Sequence, residues 1–348
     1  LKPISAAFAI GTGGPFGAEG PIIATGGALG SVFGQALSTT GAERKTLLVA
    51  GAAAGMAATF GSPVSAVLLA VELLLFEFRA RSIIPVALAA SVAAGMRIKL
   101  MGAEAIFAMP EFAPVSLGAL ALYALLGIII GVAAVVVTRI VYWIEDMFEH
   151  LPVHWMWWPA IGGLVVGLVG YFAPRTLGVG YDNIADILSN RFSLHLIAFL
   201  CVMKFISWSI ALSSGTSGGT LAPLFTIGSG AGTILGALFL WLLPASGVDV
   251  RVAALVGMAA IFAGASRALL ASVVFAFETT HQANGLLPLL VGCTLAYLVA
   301  RMLMQNSIMT EKIARRGLRI PEDYDADVFA QTTVAAAMDK EVKPLAAD

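Results

Sequence analysis

A single carboxylate, that of Glu19, lies in the segment Gly17–Pro21 (Gly-Ala-Glu-Gly-Pro), inside an otherwise apolar, glycine-rich run from Ile10 to Val32. A charged side chain in lipid-like surroundings costs at least a few kcal/mol on insertion, so we expect it to serve a function there. Proline is favoured in the first turn of a helix, and the free N–H groups at a helix N-terminus attract anions. Glu19 would therefore compete with a permeating anion. The alternative is a side chain that only caps the following helix.

The segment Gly218–Pro223 repeats this design in the second half of the chain, with two glycines, a proline and then an apolar, glycine-spaced run. Five glycines and prolines of the first half each have an identical residue 202 positions later: Pro21, Gly26, Gly30, Gly34 and Gly55. The tetrapeptide that begins at Gly55 recurs at the same offset, and Val71-Glu72 is echoed by Phe277-Glu278 after four residues of slippage. The chain therefore contains an internal duplication, and duplicated halves with broken helices are typical of transporters and some channels.

Composition indicates a polytopic membrane protein. Apolar residues make up 59% of the 348 residues and charged residues 12%, compared with roughly 25% charged residues in ordinary soluble domains. The mean hydropathy is +0.91. A net charge of −1 argues against a nucleic-acid partner. Two cysteines in apolar runs and four scattered histidines give no metal-binding spacing, and no nucleophile–base pattern suggests an enzyme.

The apolar runs predict helices, several long enough to span a bilayer. The predicted runs are an apolar segment and a glycine-rich helix within 1–38, Thr46–Phe76 broken at Gly61–Pro63, Ile83–Gly95, Leu117–Trp143, Pro159–Phe172, Leu194–Leu212, Leu224–Leu243, Val252–Phe277 broken near Gly264–Arg267, and Leu286–Leu303. We expect Ser38–Lys45 to be a loop and Pro174–Arg191 to be extramembrane or re-entrant. We expect Lys204 to extend towards the membrane interface, and Arg267 to pair with a carboxylate or with backbone carbonyls.

Charged residues become frequent after Gln305, and a basic cluster directly after the last span predicts that this end is cytoplasmic. We divide the chain into a membrane domain (1–304, with halves of about 1–115 and 116–304), a cytoplasmic helix and linker (305–330), and the start of a further domain (331–348). The chain begins without methionine inside an apolar segment, so we expect further segments on both sides.

Three motifs, in order, resemble those of the CLC chloride channels and transporters. Gly17–Pro21 resembles the family's G(K/R)EGP, Ser214–Pro223 its GGxFxP loop, and Ser307–Gly317 its final helix leading into paired CBS domains. Phe60–Pro63 followed by Val71-Glu72 resembles its helix that ends in acidic residues. The likeness extends over nearly all of residues 1–335. It implies that the opening helices, with a serine-bearing anion motif, precede Leu1 and that 331–348 begins a CBS-like domain.

The resemblance implies an all-α polytopic membrane protein with CLC-type inverted repeats, whose broken helices meet at a midplane anion site. It also implies a homodimer in the lipid bilayer in which each subunit has its own pore. We expect a bacterial inner membrane, a cytoplasmic C-terminus, chloride or another small anion as substrate with protons as a possible second one, and no cofactor. The offset of 202 supports the repeats independently, whereas their inversion comes only from the resemblance.

The resemblance also implies roles for individual residues. Glu19 would be the gating glutamate, which occupies the outer anion site and swings away on protonation. The anion would face backbone N–H groups of the two Gly/Pro segments, namely those of Ala18, Glu19, Gly20, Thr220 and Leu221. Such groups favour an anion without trapping it as a buried lysine or arginine would, and conduction requires release as well as binding.

Several positions depart from the family's pattern. Ala18 replaces the basic residue before the gating glutamate, which should weaken anion attraction at the outer mouth. The inner proton acceptor falls on Leu73, beside Glu72, and the tyrosine that caps the anion from inside falls on Met309. Leu221 replaces the usual aromatic residue. For Glu72 and its repeat counterpart Glu278, we favour a structural role at helix ends over proton transfer.

These departures leave three hypotheses. The sequence favours an anion channel gated by Glu19, or weakly proton-coupled transport, because Leu73 cannot bind a proton and Met309 has no hydroxyl group. The alternative is an anion/proton antiporter in which water or Glu72 serves as the inner proton site. A fluoride-handling branch of the family also lacks the inner glutamate. A scaffold or enzyme-like membrane protein is the hypothesis from outside this class.

Overall fold

The computed structural model describes residues 2–317, which form α-helices joined by turns, short 3₁₀ helices and one longer connection over 102–116. The helices are α1 (Lys2–Gly11), α2 (Glu19–Ala36), α3 (Gly41–Phe60), α4 (Pro63–Ala70), α5 (Ala80–Met101), α6 (Leu117–Glu149), α7 (Trp158–Phe172), α8 (Tyr181–Leu188), α9 (Leu194–Ser213), α10 (Leu221–Leu242), α11 (Val250–Ser266), α12 (Leu269–Thr280), α13 (Leu286–Leu303) and α14 (Glu311–Arg315). A π-helical turn, Val71–Leu75, continues α4. The predicted linker beyond residue 317 and the CBS-like start at 331–348 lie outside the described residues.

Six of these helices are long and apolar enough to cross a membrane, namely α5, α6, α7 with its preceding turn, α9, α10, and α13 with its preceding turn. The predicted breaks at Gly61–Pro63 and near Arg267 are confirmed, since α3 ends at Phe60 and α11 ends at Ser266. Helices α5 and α6 are longer than predicted because they continue into polar flanking residues, many of which have good helix propensity.

The prediction of a loop over Ser38–Lys45 is wrong in its second half, because α3 begins at Gly41. The Thr40 hydroxyl accepts a hydrogen bond from the Glu43 N–H at 3.3 Å, and the Glu43 carboxylate accepts one from the Thr40 N–H at 2.9 Å. This reciprocal pair is a capping box, which satisfies two N–H groups at the start of the helix.

The glycine-rich helices pack in closely apposed pairs, α2 with α3 and α10 with α11. A Cβ atom on Gly26 would lie 2.2 Å from the carbonyl oxygen of Gly51, and one on Gly228 would lie 2.5 Å from that of Gly257. The two backbones are therefore nearly in contact, which only glycine permits at these positions. The regularly spaced glycines of these helices therefore serve close helix packing.

The structure corrects one part of the repeat alignment. Helices α2 and α10 correspond at an offset of 202, but α3 and α11 correspond at 206, because Gly51 rather than Gly55 occupies the place of Gly257. Gly61 and Arg267, the left-handed residues that end α3 and α11, are likewise 206 positions apart. Helix α10 has 22 residues and α2 has 18, so the extra turn accounts for the change. The tetrapeptide match at Gly55 is therefore out of structural register.

Two glutamates cap helices of the opposite half. The Glu72 carboxylate accepts hydrogen bonds from the N–H groups of Leu270 and Ala271 at the start of α12, both at 2.9 Å. The Glu278 carboxylate accepts them from Val64 at 3.0 Å and Ser65 at 2.8 Å at the start of α4. Donors and acceptors all correspond at the offset of 206. The geometry agrees with the structural role favoured for both glutamates.

Arg267 ends α11 in the left-handed conformation, with a φ of 63°. Its guanidinium donates a hydrogen bond to the carbonyl oxygen of Met304, at the end of α13. Of the two kinds of partner expected for this arginine, a carboxylate or backbone carbonyls, this contact is with a backbone carbonyl.

Candidate anion site

The two Gly/Pro segments meet directly in the folded chain. Gly17 donates its N–H to the carbonyl oxygen of Gly219 at 3.2 Å, and Gly219 donates its N–H to that of Gly17 at 2.9 Å, which forms an isolated antiparallel bridge. We call this contact and the two helix starts beside it the loop junction. It places the N-termini of α2 and α10 side by side.

The Glu19 carboxylate fills the loop junction. Its side chain is 3% exposed. A Cβ atom on Gly17 would lie 1.6 Å from the Glu19 Oε2 atom, and one on Gly219 would lie 2.7 Å from it. The carboxylate therefore occupies space that is open only because both bridge residues are glycines. The sequence alone cannot show this role, because glycines that make room for a side chain look the same as glycines that form a turn.

At the loop junction, neither helix is capped by the side chain of the residue that precedes it. Ala18 precedes α2 and Thr220 precedes α10, and neither side chain makes a capping hydrogen bond. Leu221 opens α10 as a buried residue, and Gly20 lies against the backbone of Gly219, since its Cβ atom would be 3.4 Å from that Cα. Free N–H groups at two converging helix N-termini favour a negative charge, and Glu19 supplies one.

Tyr181 is a site residue that the sequence analysis missed. Its hydroxyl donates a hydrogen bond to the Glu19 Oε1 atom at 2.7 Å. The ring packs edge-on against Phe60, with centroids 5.7 Å apart, and against Phe107, with centroids 5.9 Å apart. The segment that contains it, Pro174–Arg191, had no predicted function because 162 positions separate Tyr181 from Glu19.

The prediction that Lys204 extends towards the interface is wrong, because its side chain is completely buried in α9. Its ammonium group donates hydrogen bonds to the carbonyl oxygens of Thr176 at 3.0 Å and Gly178 at 2.8 Å. These carbonyls belong to the segment that leads into α8. A buried ammonium group requires such partners, and these two fix the lysine in place.

The remaining predicted site residues lie elsewhere. Leu73 is half-buried in the π-helical turn, and its neighbour Glu72 is engaged with α12. Met309 lies in the turn after α13, where Ile308 donates its N–H to the carbonyl oxygen of Ala265 at 2.8 Å. Among the contacts of the described residues, no hydrogen bond joins Leu73 or Met309 to Glu19.

Comparison with known proteins identifies the family. The profile of the family described as voltage-gated chloride channel matches residues 1–301. The H(+)/Cl(-) exchange transporter ClcA of Vibrio campbellii is 31% identical over 88% of this chain and 67% of its own length. The protein of the same name from Yersinia pestis is 30% identical over 95% of this chain and 70% of its own length.

Solved structures support the same assignment. A slow cyanobacterial Cl⁻/H⁺ antiporter superposes with a TM-score of 0.82 at 27% identity, over 88% of this chain and 73% of that one. A CLC-type fluoride/proton antiporter shares the fold, with a TM-score of 0.72 at 24% identity, over 85% of this chain and 72% of that one. This chain is an integral membrane protein with the all-α polytopic CLC fold, and it belongs to the voltage-gated chloride channel family.

Proposed function

We propose that this chain exchanges chloride for protons across a membrane, with Glu19 alternating between blocking the anion site and carrying a proton. The observation that carries the proposal is the buried Glu19 carboxylate, which lies inside the junction of two uncapped helix N-termini. A chloride ion that entered this place would have to displace the carboxylate. Protonation removes the charge that holds the carboxylate there and so permits the exchange.

The choice of exchanger over channel rests on the relatives. The sequence favoured a channel or weakly coupled transport because of Leu73 and Met309. Two relatives at 30% identity or more are named H(+)/Cl(-) exchange transporters, and a structural neighbour at 27% identity is titled a Cl⁻/H⁺ antiporter. They favour the antiporter, which the sequence offered as its alternative. The fluoride/proton antiporter is 24% identical and supports the fold alone, so chloride is the anion we propose.

Backbone groups provide the anion contacts in this proposal. N–H groups of Ala18, Glu19 and Gly20 on one side, and of Thr220 and Leu221 on the other, would face the ion. They attract an anion through partial charges and helix dipoles rather than through a full positive charge. Binding by such groups is weak enough to allow release on the far side.

Further parts of the proposal concern assembly and location. We propose a homodimer in which each subunit has its own pathway, in a bacterial inner membrane with the C-terminus in the cytoplasm. The basic residues of α14 support this orientation, since Lys312 and Arg315 follow the last span directly. Lys312 pairs with Glu145 at 2.9 Å, so this end of the chain is anchored on α6.

The test is transport by the full-length protein in sealed liposomes, with a chloride gradient imposed and the internal pH recorded. Antiport predicts that the chloride gradient drives protons uphill against a pH gradient. Chloride flux without proton movement would overturn the exchanger in favour of the channel. Liposomes without protein give the leak that must be subtracted from both fluxes.

A further inference from the structure

We propose that Tyr181 is a positioning residue for the Glu19 gate, and that a loop fixed by Lys204 presents its hydroxyl group to the Glu19 carboxylate. The inference deepens the proposed function and rests on it. In this inference a residue of the second half, Tyr181, directly contacts the gating residue of the first half, Glu19.

Among the described residues, one side chain donates a hydrogen bond to Glu19. This is Tyr181, whose hydroxyl lies 2.7 Å from the Oε1 atom. The other carboxylate oxygen, Oε2, is buried without a hydrogen-bond partner among the described residues. A hydrogen bond to an ionised group is among the stronger kinds, and it favours the charged form of the acceptor. Tyr181 therefore stabilises Glu19 in the loop junction and opposes its departure.

The loop before Tyr181 is fixed from both halves of the chain. Lys204 holds the carbonyl oxygens of Thr176 and Gly178. Gly178 also donates its N–H to the carbonyl oxygen of Gly13, at the end of α1, at 3.1 Å. Gly180, directly before Tyr181, has a φ of 81°, a left-handed conformation that residues other than glycine rarely adopt. The loop thus presents Tyr181 in a fixed position.

The Tyr181 ring is held independently of its hydroxyl. Phe60 and Phe107 pack edge-on against the ring, which phenylalanine shares with tyrosine. Phenylalanine at position 181 would keep both ring contacts and remove only the hydrogen bond to Glu19. The substitution Tyr181→Phe therefore separates the positioning role from packing.

Two titratable groups act on Glu19 from the second half of the chain: Tyr181 of α8 through its hydrogen bond, and Lys204 of α9 through the electrostatic effect of its charged form. Loss of the Tyr181 hydrogen bond removes a contact that favours the ionised carboxylate, and the substitution leaves the Lys204 hydrogen bonds to Thr176 and Gly178 in place. We therefore expect Glu19 to accept a proton at higher pH in Tyr181→Phe, so the curve of chloride flux against pH is displaced to higher pH.

The experiment measures chloride efflux from liposomes containing the full-length protein, over a range of pH, for wild type, Tyr181→Phe, Glu19→Gln and the double variant. Tyr181→Phe is expected to raise the flux near neutral pH by about tenfold, the effect of losing one hydrogen bond to a charged group. In the Glu19→Gln background the same substitution is expected to change the flux less than twofold, because the ionised acceptor is gone. Tyr123→Phe is the matched control.

Tyr123 lies on α6 and is completely buried, whereas Tyr181 is half-buried. The Tyr123 hydroxyl bonds only to the backbone of Asp249 among the described contacts: it accepts from the N–H at 2.9 Å and donates to the carbonyl oxygen at 3.1 Å. If Tyr181→Phe behaves as wild type while Glu19→Gln alters the flux, the inference falls and the proposed function stands. An equal effect of Tyr181→Phe with and without Glu19, or an equal effect of Tyr123→Phe, also overturns it. If Glu19→Gln changes neither flux nor pH dependence, the proposed function falls and the inference with it.

Discussion

Gly17 and Gly219 exchange both of their backbone hydrogen bonds, although 202 positions separate them in the sequence. The same offset relates the two Gly/Pro segments, so each glycine is bonded to its own counterpart in the other half. Glu72 and Glu278 repeat the relationship further along the chain, because Glu72 caps α12, which contains Glu278, and Glu278 caps α4, which leads into Glu72. The two halves are thus related by a local two-fold axis that passes through the loop junction.

Neutralising Glu19 should remove the gate. In Glu19→Gln the uncharged amide mimics the protonated side chain, so we expect chloride flux that no longer depends on pH and a proton flux that falls to the leak of empty liposomes. Parallel recordings of chloride and proton movement provide the measurement. Glu43→Gln, which neutralises a half-buried carboxylate of the α3 capping box, is the control. Retention of the wild-type pH dependence in Glu19→Gln would remove Glu19 from the mechanism.

A methyl group at Gly219 should disrupt the loop junction. Its Cβ atom would lie 2.6 Å from the carbonyl oxygen of Gly17 and 2.7 Å from Glu19 Oε2, and backbone cannot move aside as a flexible side chain can. Overpacking of this kind costs about 1–3 kcal/mol. We expect Gly219→Ala to unfold at a lower temperature in detergent and to transport chloride more slowly.

Gly163→Ala is the matched control for that substitution, because within residues 2–317 no atom except the neighbouring turns of α7 itself lies within 4 Å of a Cβ atom at that position. Alanine is also the better helix former, so the control should be neutral or slightly stabilising. Equal unfolding temperatures and equal fluxes for the two variants would show that the junction tolerates a side chain.

The capping role of Glu72 predicts a stability effect without a transport effect. Glutamine can accept from only one of the two N–H groups and presents its own NH₂ group to the other, so Glu72→Gln should lose about 1–2 kcal/mol of stability. Glu278→Gln removes the equivalent cap at α4 and should have a similar effect. Thermal unfolding in detergent and the proton-to-chloride ratio are measured for both variants. A loss of proton coupling in Glu72→Gln alone would instead identify Glu72 as the inner proton site.

A carboxylate at position 73 should strengthen proton coupling. Leu73 is half-buried in the π-helical turn, where it packs against the core, and it holds no proton. Leu73→Glu would add a titratable group at the place where the family resemblance puts the inner proton acceptor. We expect more protons moved per chloride ion, measured in the same liposome assay. An unchanged ratio would contradict that assignment, and Leu73→Gln controls for polarity without titration.

Local patterns predicted much of the fold but not its register. Helix breaks at Gly61–Pro63 and near Arg267 were predictable because glycine and proline act on their own neighbours. The tetrapeptide match at Gly55 was misleading, since an extra turn in α10 shifts the second half by four residues and the sequence does not show where that turn lies. Identical residues at a constant offset do not reveal whether the four extra residues of the second half lie before or after the matching tetrapeptide.

The candidate site was predictable only where its residues lie together in the sequence. Glu19 stands out because a carboxylate is exceptional within an apolar run. Tyr181 and Lys204 come from distant helices, and a tyrosine or lysine there has no periodicity to mark it. Their roles depend on tertiary contacts, namely the hydrogen bond to Glu19 and the two carbonyl groups that receive the ammonium. Those contacts also explain why Lys204 is buried rather than interfacial.

The bridge between Gly17 and Gly219 has a consequence for the symmetry of transport. The two halves meet at this bridge as the subunits of an isologous dimer meet, because Gly17 faces its own counterpart, Gly219. A glutamate in both halves would place two like charges in one small space, where they could not both ionise readily. The counterpart of Glu19 at the offset of 202 is Leu221, which carries no charge. The two halves are therefore nearly symmetric in backbone but differ in chemistry at the loop junction, where one half contributes the ionisable Glu19 and the other the apolar Leu221.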